Sequence, residues 1–175
     1  QTIAGIPADY LAAHNGAVPT KCIACNFAGC EVARDSVRLQ VRLRVPTNVT
    51  GMSYDLDFYT AEYPQNLCTQ YNDFFLALLD AQQPAPGLPD DRNIAKDSMG
   101  NTVSVNDAHF DICLGCAGGN LELAGTGMGG WNGALNDGAA TGWLRNVAPV
   151  TPGDTIELRF VVWDAWDGNV DSVVL

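Results

Sequence analysis

The side chains of this chain that are equipped for chemistry are carboxylates and thiols, and both come in groups. Among its 20 Asp and Glu residues, Asp55, Asp57 and Glu62 surround one alternating apolar stretch. Asp73 and Asp80 mark the two ends of another, and Asp164, Asp167 and Asp171 lie near the C-terminus. Oxygen ligands at loop–strand junctions suit a hard cation such as calcium, which takes roughly six to eight oxygens in tolerant geometry. No EF-hand spacing is present. Glu62 and Asp73 stand among Tyr59, Tyr63, Tyr71, Phe74 and Phe75, and Asp171 falls in an apolar run. An uncompensated carboxylate is costly in such surroundings.

The thiols are Cys22, Cys25, Cys30, Cys68, Cys113 and Cys116. Cys22-Ile-Ala-Cys25 and Cys113-Leu-Gly-Cys116 have the spacing of a four-thiolate zinc site or of a redox pair. The additional Cys30 and Cys68, the even count and the lack of a βαβ context favour three disulfides instead, and with them an oxidising, extracytoplasmic compartment.

Catalysis finds little footing. Neither His14 nor His109 is accompanied by a G-x-S-x-G nucleophile turn. A carboxylate pair for glycoside hydrolysis is unavoidable among so many acids and therefore carries no information. No catalytic residue is assigned, and the chain is expected to be no enzyme. Of the tryptophans, Trp131 and Trp143 offer sugar-stacking faces, Trp131 within a glycine-rich segment, while others belong to packing. Arg34, Arg38, Arg42 and Arg44 are expected to pair with acids of a neighbouring strand.

The elements that must position these residues are strands. Val37, Leu39, Val41, Leu43 and Val45 alternate with Arg38, Gln40, Arg42 and Arg44, the period of a half-buried strand, which Pro46 ends. Similar readings cover Met52 to Tyr59, Asp73 to Leu79, Asn101 to Val105, His109 to Cys113 and Thr155 to Trp163. The best helical period is the short Asp9 to His14. Gly115 to Gly142 holds 10 of the 18 glycines and reads as a long loop region, and Gln82 to Asp91 as a Pro-rich surface loop. Many short strands in a chain of 175 residues imply an all-β, two-sheet antiparallel sandwich, jelly-roll-like, as one extracellular domain spanning 1–175.

Nine Lys and Arg against 20 acids leave a net charge of −11, which repels phosphate backbones and anionic lipid. Nucleic acid and membrane insertion are excluded as partners on that ground, and no run of 18 apolar residues exists. The final Ser172 to Leu175 stop inside an apolar β-type run, so this end is expected to continue or to pack into a sheet. An open strand edge there would invite a protein partner or self-association by strand addition; glycan is the alternative partner.

The order of several segments carries a resemblance. Tyr54-Asp55-Leu56-Asp57-Phe58-Tyr59-Thr60-Ala61-Glu62-Tyr63-Pro64, Tyr71-Asn72-Asp73-Phe74-Phe75, Thr141-Gly142-Trp143-Leu144, Ala148-Pro149-Val150 with Pro152-Gly153, and Leu158-Arg159-Phe160 through Asp171-Ser172-Val173-Val174-Leu175 follow one another along the chain. Together they resemble the choice-of-anchor domains of bacterial surface proteins, most closely the L type. The resemblance implies an extracellular β-sandwich module without a known activity, at the bacterial cell surface. It carries over Glu62, Asp73 and Asp171 as a shared structural or calcium site, with Asp57 as a fourth candidate ligand. It also suggests a Cys68 to Cys113 disulfide, which would leave Cys116 to one of Cys22, Cys25 or Cys30. The expected function is a non-catalytic surface module for adhesion or filament assembly, stabilised by calcium. The alternative is a carbohydrate-binding module that uses Trp131 and the glycine-rich loop.

Overall fold

A computed structural model describes residues 5–20, 22, 32–129, 136–166 and 168–175. The two longest strands arise where the sequence alternates most strongly. They are β1 (Ala33–Arg44) and β9 (Thr155–Ala165), paired antiparallel from Arg44↔Thr155 to Ala33↔Ala165 with a bulge between Arg34 and Val37. On the other side of β9 lies β4 (Phe74–Ala81), followed by the short β5 (Val103–Ser104), giving the order β1-β9-β4-β5.

The facing layer contains β2 (Gly51–Leu56) and β3 (Phe58–Thr60), separated by Asp57 alone. Opposite them run β8 (Leu144–Pro149) and β7 (Ala139–Ala140). The β3–β7 pair is flanked by β6 (Ile112–Cys113) on one side and by β10 (Ser172–Val174) on the other, whereas β2 pairs with β8 alone. All pairings are antiparallel, and the molecule is an all-β sandwich.

Because side chains alternate along a strand, β4 and β9 bury residues on both faces. Phe75, Ala77, Leu79, Ile156 and Leu158 join Leu56, Phe58, Ala148 and Val150 in the core between the sheets. Phe74, Leu76, Leu78, Val161 and Trp163 point the other way. There α1 (Ala8–Ala13) lays Tyr10 and Leu11 over them, and Phe74 stacks on Trp163 at 5.2 Å. Arg159 fastens this helix by ion pairs to Asp9 and Asp80.

The expected glycine-rich loop region is interrupted by a 3-10 turn at Leu121–Leu123 and by β7. One expectation fails. β1 was to be half-buried, yet nearly every residue along it is exposed. The physical reason is its position as the outermost strand of its sheet, opposite a part of the second sheet that stops at β2.

Candidate functional site

The alternation of β1 places Val37, Leu39, Val41 and Leu43 on the face that looks between the sheets, across from Val162, Phe160, Leu158 and Ile156. Val37 is 64% exposed and Leu39 59%, large values for residues on an inward face. They border a groove of about 330 Å³ whose other walls are Tyr54, Asp55, Leu56, Phe75, Phe160, Val162 and the end of β10. Phe160 is held rigidly in its floor, stacked on Phe75 at 6.3 Å and edge-on to Tyr54 at 5.5 Å.

The second wall is set by backbone pairing. Asp57 and Leu175 exchange N–H···O=C bonds of 3.1 and 3.0 Å, which lays Leu175 beside Asp57. By the alternation of an antiparallel ladder, Asp55 and Ser53 turn their N–H and C=O groups to the same side as Asp57. That side of β2 bears no strand among the described residues.

Outward-facing residues of β1 are Arg38, Gln40, Arg42 and Arg44. The expectation that the arginines pair with acids of a neighbouring strand is not met. Glu157 stands across from Arg42 in the ladder, but among the described residues no carboxylate forms an ion pair with Arg34, Arg38, Arg42 or Arg44. Asp80 of β4 and Asp9 of α1 hold Arg159 and Arg92 instead.

At the far end of β9, carboxyl groups do converge. Asp73 and Asp164 are the next pair in register after Phe74↔Trp163, so their side chains share the inner face. Asp73 accepts the Ala165 N–H at 2.9 Å and the Ser172 hydroxyl at 2.6 Å. Further hydrogen bonds join its carboxyl to those of Glu62 and Asp164. Burial raises Asp73 to about 6; burial, then the charges of Asp73 and Asp171, raise Asp164 to about 7. The cluster thus ties β4, β9 and the start of β10 together through hydrogen bonds centred on Asp73.

Of the residues singled out in the sequence, Glu62 and Asp73 come together, and the charge of Asp171 acts on Asp164. The Asp171 residue is exposed and escapes the burial cost expected for its apolar run, while its backbone C=O accepts the Ala61 N–H. Asp57 stands apart, with Thr141 donating to its Oδ1 and Tyr59 and Glu122 as neighbours; burial raises it to about 6. Asp164 is the member that sequence reading left out of the set, and its signal was its even position along β9, in line with Phe160 and Val162. Each Asp73 oxygen accepts one hydrogen bond from the protein, and among the described residues no three Asp, Glu, His or Cys side chains are grouped as metal ligands. The hydrogen bonds make Asp73 an acceptor for β9 and β10 together.

Disulfides join Cys22 to Cys68 and Cys113 to Cys116, which corrects the Cys68 to Cys113 pairing and the assignment of Cys116 to the N-terminal cluster. Cys113 is drawn to its near neighbour because Cys116 N–H bonds Cys113 C=O, folding the C-x-x-C segment into a turn. Cys25, Cys30 and Trp131 lie outside the described residues. Trp143 is 64% exposed beside a second groove of about 530 Å³, lined with Lys96, Asp97 and Val147. The histidines serve local structure: His14 meets Asp91 at 3.0 Å and His109 meets Asp111 at 3.3 Å.

Compared with known proteins, residues 39–175 match the family described as Choice-of-anchor L domain, so the match begins within β1 and runs to Leu175. No curated protein and no solved structure matches significantly. No helix among the described residues is long and apolar enough to cross a membrane.

Proposed function

This chain belongs to the Choice-of-anchor L domain family of bacterial surface-associated modules, and from that footing we propose that it works without catalysis, by contact, through the open side of its sandwich. The observation that carries this reading is the exposure of Val37 and Leu39 beside an apolar groove. Contiguous apolar surface left open on a folded protein marks an interaction site. Adhesion or assembly at the cell surface is the use such a contact would serve.

Leu39→Asp, alone and with Val37→Asp, tests this. Both positions are exposed, so the variants are expected to melt like the parent while losing retention in surface material. Retention equal to the parent's would overturn the reading. So would turnover of a polysaccharide or peptide that vanishes when one carboxylate is replaced.

A second reading, glycan binding, is favoured by the exposed Trp143 beside a groove that also holds Asn93, Lys96, Asp97 and Asn146. A glycan array on the parent and on Trp143→Ala separates the two: binding lost with the tryptophan supports the sugar platform, and a blank array leaves protein contact alone.

A further inference from the structure

The groove says where contact occurs; the two faces of β1 say with what. This strand is 12 residues long and lies at the edge of its sheet, so one row of its backbone N–H and C=O groups has no neighbouring strand among the described residues. Its inward face is apolar and largely open, and its outward face carries Arg38, Arg42 and Arg44 without acidic partners among the described residues. In a chain of net charge −11, three neighbouring arginines with no ion pair among the described residues concentrate positive charge along this edge, with Glu157 across the ladder from Arg42 as the nearest acid in register.

Resting on the contact reading above, we propose that the free edge of β1 docks an extended segment of a partner protein in which apolar and acidic residues alternate. Added as a strand, such a segment places every second side chain over Val37, Leu39 and Val41, and the intervening acids beside Arg38, Arg42 and Arg44. Backbone pairing supplies affinity and the alternate side chains supply selectivity. Opposite charges across a strand pair stabilise it, and like charges directly opposite destabilise it.

That same rule disfavours symmetric pairing of β1 with β1 of a second copy, because the arginine rows would face each other. A polyanionic glycan would satisfy the arginines and leave Val37 and Leu39 in water. The charges and the bulge at Arg34–Val37 are also devices that keep an edge from pairing indiscriminately; an acidic strand is the partner that they admit.

The experiment uses the full chain and labelled peptides of about 12 residues, alternating Val or Thr with Glu, with Lys, or with Gln, read by fluorescence anisotropy and by amide exchange across Val37–Leu43. The acidic peptide is expected to bind at least about tenfold more tightly than the basic one. It should slow exchange along β1, and weaken about tenfold on Arg38→Glu with Arg42→Glu and on Leu39→Ser. Equal binding of all three peptides overturns the charge assignment while leaving the contact reading intact. Binding by none overturns the proposal and makes the arginines edge guards only. Polygalacturonate that binds with loss on the arginine variant but not on Leu39→Ser overturns it in favour of a polyanion. Melting curves of the variants show that each remains folded.

Discussion

Leu39 faces Phe160 across the β1–β9 ladder, yet 59% of Leu39 is open to solvent while Phe160 packs against the core between Phe75 and Tyr54. Two neighbours on one face differ because a facing strand covers one and not the other. Stability should therefore separate them. Leu39→Ser is expected to stay within about 0.5 kcal/mol of the parent, as surface changes do, whereas Phe160→Ala costs about 2 to 4 kcal/mol for the lost burial and the cavity. Urea titration of both variants checks this; a comparable loss for Leu39→Ser would mean that β1 is covered.

The carboxyl cluster sets an unusual pH response. Unfolded aspartates titrate near 3.8, whereas folded Asp73 and Asp164 hold protons to about 6 and about 7. Between these values the folded chain binds more protons, so this contribution to stability is complete below about pH 4 and is lost as pH rises toward 7. Asp9, held low chiefly by the Arg159 hydrogen bond, acts oppositely and loses its contribution below its ordinary range. Melting temperature is expected to fall from pH 5 to pH 8, and Asp164→Asn to flatten that slope. A melting temperature that climbs steadily over the same interval contradicts proton retention by Asp73 and Asp164.

Calcium, the expectation from the acid-rich sequence, is tested on the same curves. With Asp73 engaged as acceptor by Ala165 and Ser172, chelator at neutral pH is expected to leave the melting temperature unchanged. A drop in chelator, restored in proportion to the logarithm of added calcium, would establish a bound ion that favours the folded state.

The disulfides should contribute unequally. Cys22–Cys68 closes a sequence separation of 46 and Cys113–Cys116 one of 3. In the chain-entropy description the long loop gives about 4 kcal/mol and the short one about 1.5 kcal/mol. Replacing both members of each pair by serine should lower the melting temperature more for Cys22 and Cys68, and intact mass before and after reduction counts the bridges.

The sandwich was legible because its long strands announce themselves: the alternation from Val37 to Val45 and from Thr155 to Trp163 survives as β1 and β9. Short strands such as β7 were hidden, since two alanines carry no period and their pairing depends on Tyr59 and Cys113 far away in the chain. Glu62 and Asp73 could be grouped from their motifs, but the part of Asp164 needed the register of β9 on β4. The openness of β1 was invisible altogether: alternation says which side chains share a face, and never whether another sheet reaches over it.

Hydroxyl-radical footprinting tests the central claim most directly, applied to the purified chain and to the same chain in its native surface material, with oxidation read residue by residue. Leu121 and Met99, 81% and 71% exposed, serve as reference sites away from β1. Val37 and Leu39 are expected to react readily in the purified chain and to become protected in surface material while both reference sites stay reactive. Equal reactivity of Val37 and Leu39 in the two states would show that the open side of the sandwich meets no partner, and would contradict a role by contact at that side.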